Sequence, residues 1–416
     1  MTSSVRKLSI RPKIRAYCPP GRPVFGPLKV KNMPRKICVV VTARPSYSRI
    51  KTALRAIMEH PDLELQLVVA ASALLDRYGT AVNYIESDGF PIAARVYMVL
   101  EGENPASMAK TTGLGMLELA TVFDNLKPDV VVTVADRFET LATAVAAAYM
   151  NIPVAHIQGG EVTGSIDEKV RHAVTKLADI HLVATSGAGD RVERMGEEHR
   201  KVYVTGCPSI DLAAEIADDP ALNFNPFERY GGVGGLHKLL NGYLVVMQHP
   251  VTTEHEEARH QVFETLQAIH EINMPALWFW PNVDAGSDGT SNGIRSFREK
   301  YQPENLHFFK NMEPTDFLRL LYSSKCLIGN SSVGIRECSY LGVPVVNIGT
   351  RQTGRERGLN VIDVGYCKDE IRTAIEKQLS NGRHLKDNLY GDGAAGQKIS
   401  QVLAHAPLEI EKRITY

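Results

Sequence analysis

The residues able to do chemistry in this chain follow short apolar, β-branched runs. Ile37-Cys38-Val39-Val40-Val41 leads into Thr42-Ala43-Arg44-Pro45-Ser46-Tyr47-Ser48. There Ser46 is expected to cap a helix, and Arg44 to set a fixed positive charge beside its N-terminus, which suits a diphosphate. Asp129-Val130-Val131-Val132-Thr133-Val134 leads into Ala135-Asp136-Arg137-Phe138-Glu139, an acid and a base at a strand's carboxyl edge. Helix capping by Asp136 is the plain alternative. Val154-Ala155-His156-Ile157 leads into Gln158-Gly159-Gly160-Glu161 and on to Asp167-Glu168. The glycines let a backbone approach a ligand closely, and Glu161 and Asp167 bring carboxylates to one loop.

The second half repeats the pattern. Val246-Met247 runs into Gln248-His249-Pro250, where the proline fixes the turn and favours a placed imidazole over a core histidine. Trp280-Pro281-Asn282-Val283-Asp284 ends the next run in a polar loop. The strongest local signal is Ile328-Gly329-Asn330-Ser331-Ser332-Val333-Gly334-Ile335-Arg336-Glu337. Backbone amides there, with the Ser331 and Ser332 hydroxyls, can cradle a phosphate without a metal, and Glu337 can accept from ribose hydroxyls. Arg351 and Arg355 follow another strand and can neutralise a departing diphosphate. The first strand is not followed by the G-x-G-x-x-G dinucleotide fingerprint, and the Walker lysine motif is absent. The six cysteines show no C-x-x-C or paired-histidine spacing, so neither a zinc site nor a disulfide framework is indicated, and no metal is expected.

These loops need strands to position them. Strands over 37–41, 65–69, 129–134 and 154–157 alternate with helices over 47–60, 106–126, 138–150 and 166–178, the rhythm of a parallel sheet. After the glycine-rich 231–235 segment a second series follows, with strands at 243–247, 276–279, 306–309, 326–328 and 343–347 and helices at 254–272, 314–322 and 334–340. The fold class is therefore α/β, two doubly wound Rossmann-like domains with a cleft at the strands' carboxyl ends. The 416 residues, 44% hydrophobic, are enough for two cores. Expected boundaries are 1–35 for a basic, disordered extension, 36–208 for the first domain and 209–392 for the second. Lysine plus arginine and aspartate plus glutamate balance at 47 each, so no general field favours nucleic acid or an anionic membrane. No apolar run approaches the roughly 20 residues of a membrane span, and a cytoplasmic protein is expected.

Taken in order, the motifs resemble the UDP-N-acetylglucosamine 2-epimerase family, particularly its hydrolysing, sialic-acid-pathway branch. They are Asp136-Arg137-Phe138, Gly159 to Asp167 with Arg171-His172-Ala173, Gly206-Cys207-Pro208-Ser209, Gln248 to Thr253, Pro281-Asn282, Gly329 to Ser332 and Gly349-Thr350-Arg351-Gln352. The resemblance implies a glycosyltransferase-B-like domain pair and a C-terminal helix, within 393–416, that crosses back to the first domain. It implies anti elimination of UDP to a 2-acetamidoglycal and hydration to a free N-acetylmannosamine-type sugar, with no cofactor and assembly as a homodimer or homotetramer. By matching position Asp136, Asp167 and His249 are the catalytic candidates, and Arg44, Arg137, Asn282, Ser331, Ser332, Glu337 and Arg351 those for UDP. Gln158 stands where relatives carry a catalytic glutamate, and an amide cannot transfer a proton at neutral pH. A non-hydrolysing epimerase, a UDP-sugar glycosyltransferase and a catalytically silent UDP-sugar sensor are the competing readings.

Overall fold

The computed structural model describes residues 33–75, 80–100, 105–162, 166–281 and 287–415. The basic extension expected over 1–35 and the candidate Asn282 fall almost wholly or wholly outside them. From Pro34 onward the chain forms one compact unit.

Its first sheet contains β1 (Arg35–Val41), β2 (Leu63–Ala70), β3 (Ile92–Val96), β4 (Val130–Val134), β5 (Val154–Ile157), β6 (Ile180–Val183) and β7 (Val202–Val204). They run parallel in the order β3-β2-β1-β4-β5-β6-β7. The second sheet contains β8 (Val233–Gly234), β9 (Leu244–Met247), β10 (Ala276–Phe279), β11 (Leu306–Phe309), β12 (Cys326–Gly329), β13 (Val345–Ile348) and β14 (Val361–Val364). Its order is β14-β13-β12-β9-β10-β11-β8, parallel except for β8. Each sheet therefore reverses its strand order once, between β1 and β4 and between β9 and β12. Ligands of open α/β sheets lie outside the strands' carboxyl ends at such switch points. The loops opening with Arg44, Asp136, His249 and Asn330 are the ones that leave these four strands.

Burial on both faces explains the unbroken apolar runs. Alternate residues of β1 go to opposite cores: Ile37, Val39 and Val41 to one, Cys38 and Val40 to the other with Leu119 and Phe123. In the second sheet Val245, Leu277 and Phe309 pack with Leu321 and Ile335, and Val246, Trp278 and Phe308 with Val262 and Ile371. The late helix Ala395–His405 buries Ile399 and Leu403 in the core of the first sheet, against the helix Lys51–Glu59. Asp211 fastens it: the carboxylate accepts the Ala395 and Gly396 amides at 2.8 and 2.7 Å and the Thr52 hydroxyl at 2.8 Å. No helix among the described residues is long and apolar enough to cross a membrane.

Three expected helices are interrupted. The one expected over 47–60 is two, Arg44–Ser48 and Lys51–Glu59, broken at Arg49 and Ile50. Ala43 occupies the first N-cap without a side-chain bond, so Ser46 lies inside the turn and caps nothing. The one expected over 334–340 is Ser332–Ile335 and Glu337–Leu341, with Arg336 between them at φ −100°, ψ −75°. The one expected over 254–272 opens as a 3-10 turn, Thr252–Glu257, before Ala258–Ile272.

Candidate active site

At the ends of neighbouring strands β4 and β5, Ala135 and Gln158 take left-handed backbone angles, φ 64° and 65°. Such a conformation costs a non-glycine residue about 1–3 kcal/mol and collects at functional sites. Sheet bonds hold both in place, from Ala135 N to Ile157 O and from Gln158 N to Leu182 O, each 3.0 Å. Gly160 turns likewise, at φ 73°, where a Cβ would lie 2.2 Å from the Ala188 carbonyl oxygen. The chain is thereby bent sharply after each strand.

Asp136, just past the first bend, is buried and forms an ion pair with Arg171 of the helix Ile166–Leu177. It is not a cap: the helix Phe138–Tyr149 begins at Arg137 with no side-chain cap bond. Arg137 forks onto Glu139 at 3.2 and 3.3 Å. Gln158 is 0% exposed, donates from Nε2 to Cys207 Sγ at 2.9 Å, and has an Oε1 without a hydrogen-bond partner. Asp167 lies in the first turn of Ile166–Leu177.

Glu161 reaches across to the second half. Its Oε2 pairs with Arg336 and with Arg355, the latter at 3.4 Å, and the Glu161 and Arg336 side chains are 3% and 1% exposed. Arg49, at the break after Ser48, donates to Ser332 Oγ at 3.2 Å. Thus each helix break delivers a guanidinium to the junction of the two sheets. Burial pulls Arg49 and Arg355 down to about 10, with Arg336 repelling both, and pulls Arg171 well below its usual range. Burial would push Glu161 up, but Arg336 and Arg355 hold it below the usual carboxylate range. Glu337 goes the other way, raised by burial more than Arg336 lowers it.

Four guanidinium groups, Arg49, Arg171, Arg336 and Arg355, thus face three carboxylates, Asp136, Glu161 and Glu337, one of which tends to neutrality. Buried donors are left over: Arg171 Nε and Nη1 and Arg336 Nε have no partner. Buried charge without a counter-charge is costly, so such a cluster favours an anion supplied from outside.

The loops of the second sheet join this cluster through Asn330. Its side chain accepts from His249 N and donates to His249 O, both 2.8 Å, fixing the histidine's backbone. Its carbonyl accepts from Arg351 Nη1 at 3.2 Å and Gln352 Nε2 at 2.8 Å, and Gln352 Oε1 accepts from Arg355 Nη1 at 3.2 Å. Ser331 is the N-cap of Ser332–Ile335, accepting from Val333 N at 3.4 Å. Asp136, Gln158, His249, Ser331, Ser332, Glu337 and Arg351 all lie in or beside this network. Arg44 takes a separate course: it stacks over Tyr84 and donates to Met312 O at 2.5 Å. Arg49, one residue past the Thr42–Ser48 motif, and Arg336, inside the Ile328–Glu337 motif, read in the sequence as ordinary helix residues, and only the helix breaks aim them inward. After the left-handed Gln158 and Gly160 the alternation of faces along a strand no longer applies, and Glu161 reaches Arg336 and Arg355. Among the described residues no group of three or more His, Cys, Asp and Glu side chains could hold a metal ion.

The sequence profile of a protein family described as UDP-N-acetylglucosamine 2-epimerase matches residues 55–404. The chain is 34% identical over 377 residues to the "UDP-N,N'-diacetylbacillosamine 2-epimerase (hydrolyzing)" of Legionella pneumophila, covering 90% of this chain and 97% of that protein. It is 30% identical over 348 residues to the "GDP/UDP-N,N'-diacetylbacillosamine 2-epimerase (hydrolyzing)" of Campylobacter jejuni, covering 82% and 87%. In three dimensions it is similar to the UDP-GlcNAc 2-epimerase from Neisseria meningitidis bound to UDP-GlcNAc, with a TM-score of 0.73 at 18% identity over 88% of this chain and 99% of that one. At that identity the likeness speaks for the fold.

Proposed function

Because the chain belongs to the UDP-N-acetylglucosamine 2-epimerase family, we propose that it is a hydrolysing 2-epimerase of UDP-N-acetylglucosamine or a related UDP-linked acetamido sugar. A base removes the proton at C2 while the C1–O bond breaks, the electron pair of the C2–H bond forming the C1–C2 double bond. UDP leaves as the anion and a 2-acetamidoglycal remains. Water then adds its hydroxyl to C1 and a proton to C2 from the other face, giving a free N-acetylmannosamine-type sugar, a precursor of sialic-acid-like sugars. The reaction needs neither net oxidation nor a metal.

The observation that carries this reading is the buried guanidinium cluster at the meeting of the two strand-order reversals, with its unpartnered donors. Donors already oriented where negative charge develops stabilise a departing diphosphate without reorganising. Arg49, Ser331, Ser332 and Arg351 hold the diphosphate and Glu337 the ribose, with Arg44, Arg137 and Asn282 completing the nucleotide's surroundings. Asp136, Asp167 and His249 carry the proton transfers, which need groups tuned by their neighbours. The amide of Gln158 positions the sugar. The reading includes a cytoplasmic location and assembly as a homodimer or homotetramer.

Its test is product analysis in 18O-labelled water across a panel of UDP-acetamido sugars, with immediate borohydride reduction to stop anomeric exchange. One 18O at C1 of the released sugar and none in UDP is the expected result. Label in UDP, or a UDP-linked product, would overturn it.

A further inference from the structure

Cys207 is the N-cap of the helix Pro208–Asp218, yet its side chain makes no cap bond. Its backbone is pinned where the chain passes from β7 to the second half. The Cys207 N–H donates to Tyr390 O at 2.7 Å, and Gly206 before it takes φ 84°, where a Cβ would lie 3.1 Å from Gly391 Cα. The thiol is 0% exposed, and burial pushes its pKa up, so the sulfur keeps its proton at neutral pH. The reaction proposed above gives this buried thiol no part.

Its neighbours form a line from one half to the other. Gln158 Nε2, after β5, lies 2.9 Å from Cys207 Sγ, and Sγ lies 3.0 Å from Ser209 Oγ. The Ser209 hydroxyl in turn bonds the Glu337 carboxyl, after β12. All four side chains are buried. Both ends of the line are open, since Gln158 Oε1 and Glu337 Oε2 are buried acceptors without a hydrogen-bond partner. Such an acceptor costs about 1–3 kcal/mol until a donor reaches it.

Counting protons gives the line a direction. A thiol and a hydroxyl each carry one proton, and an ionised carboxylate only accepts. Ser209 donates to Glu337, a bond that favours the charged carboxylate. Ser209 Oγ is then left to accept from the thiol, and the sulfur, its proton committed, is left to accept from the amide. Only the N–H2 side of Gln158 meets that demand, so Oε1 is turned away from the sulfur. Among the described residues Cys207 is the amide group's hydrogen-bond partner, and which way an amide faces follows from the network it joins.

We propose that Cys207 is a positioning residue: by donating to Ser209 it holds the Gln158 N–H2 on its sulfur and leaves Oε1 to the substrate, where it accepts from an N–H or O–H of the sugar. The proposal rests on the reaction above for its substrate; the line of hydrogen bonds does not.

The line is tested without substrate, in the S–H stretching region of the full chain's infrared spectrum. The Cys207 band, identified by its loss in Cys207→Ala, is expected to move in Ser209→Ala; a band left in place would overturn the proposal. In turnover of a UDP-acetamido sugar, Cys207→Ala is expected to lower kcat/KM about tenfold or more, the scale of one buried hydrogen bond left unmade, while UDP affinity by calorimetry stays within about threefold. Cys207→Ser restores a donor and an acceptor at the same place and is expected to recover kcat/KM to within about threefold of the parent. A serine variant as slow as the alanine one, or UDP affinity falling in step with turnover, would also overturn it. A parent that turns over no UDP-acetamido sugar overturns the reaction instead, and the infrared shift still decides the bonds of the thiol.

Discussion

Glu161→Gln keeps the shape of the side chain and removes the first half's charge that pairs with two arginines of the second half. In the folded chain the Glu161 Oε2 is shared by Arg336 and Arg355, and all three side chains are almost wholly out of solvent. Without it, Arg49, Arg171, Arg336 and Arg355 face only Asp136 and a Glu337 that burial has driven toward neutrality. Breaking a buried ion pair by removing one partner costs about 3–5 kcal/mol, and a glutamine that can still accept hydrogen bonds sets the expectation at the lower end, about 3 kcal/mol. The loss has a pH signature. Glu161 lies below its unfolded value of 4.5 in the folded state, so its contribution is fully present above that value and is lost as pH falls through the folded pKa. The variant should therefore be destabilised at pH 7 and converge with the parent in acid. Urea unfolding followed by tryptophan emission, from Trp278 and Trp280 of the second half, reads both. A loss below about 1 kcal/mol at pH 7, or one independent of pH, would refute the reasoning.

The buried Glu197 accepts from His181 at 3.0 Å and is paired with Lys176 and Lys412; against its burial, the His181 hydrogen bond and then the two lysines lower it to about 2. Its stabilisation is present above pH 4.5 and lost between about 4.5 and about 2, so Glu197→Gln should cost about 3 kcal/mol at pH 6 and only about 1 kcal/mol at pH 3, read from urea midpoints at the two pH values. Asp136→Asn is expected to lower turnover at least a hundredfold, the usual scale for losing a proton-transfer group, with UDP affinity within about threefold by calorimetry. Arg49→Ala removes the donor to Ser332 Oγ and should weaken UDP binding about tenfold or more while the far-ultraviolet spectrum is unchanged.

The strands bordering the site were legible because they are fully buried: β4 and β5 are apolar but for Thr133 and His156, and each ends in a visible polar loop. Strands without that signature were not. β3 carries Arg95 at the sheet's edge, and β8 is two residues long. Of the site, the loops and most of their residues could be read, because a residue's place after a buried run is a sequence property. What each side chain meets could not. Asp136 had capping as an equally simple reading until Arg171 was seen opposite it. The helix breaks at Arg49 and Arg336 have no proline or glycine at the break itself to announce them; in the fold Arg336 pairs with Glu161 and Arg49 donates to Ser332 Oγ. Ser46 had the residue type of a cap, but Pro45 inside the turn moves the cap back to Ala43.

The most direct test of the central claim is the reaction run in D2O with the UDP-acetamido sugar that turns over fastest, the sugar analysed by mass spectrometry and NMR. Elimination followed by hydration predicts a free, 2-epimerised sugar with one deuterium bound at C2 in every molecule, formed in equal amount with UDP. A released sugar with its C2 proton retained, or an epimer still attached to UDP, would contradict it.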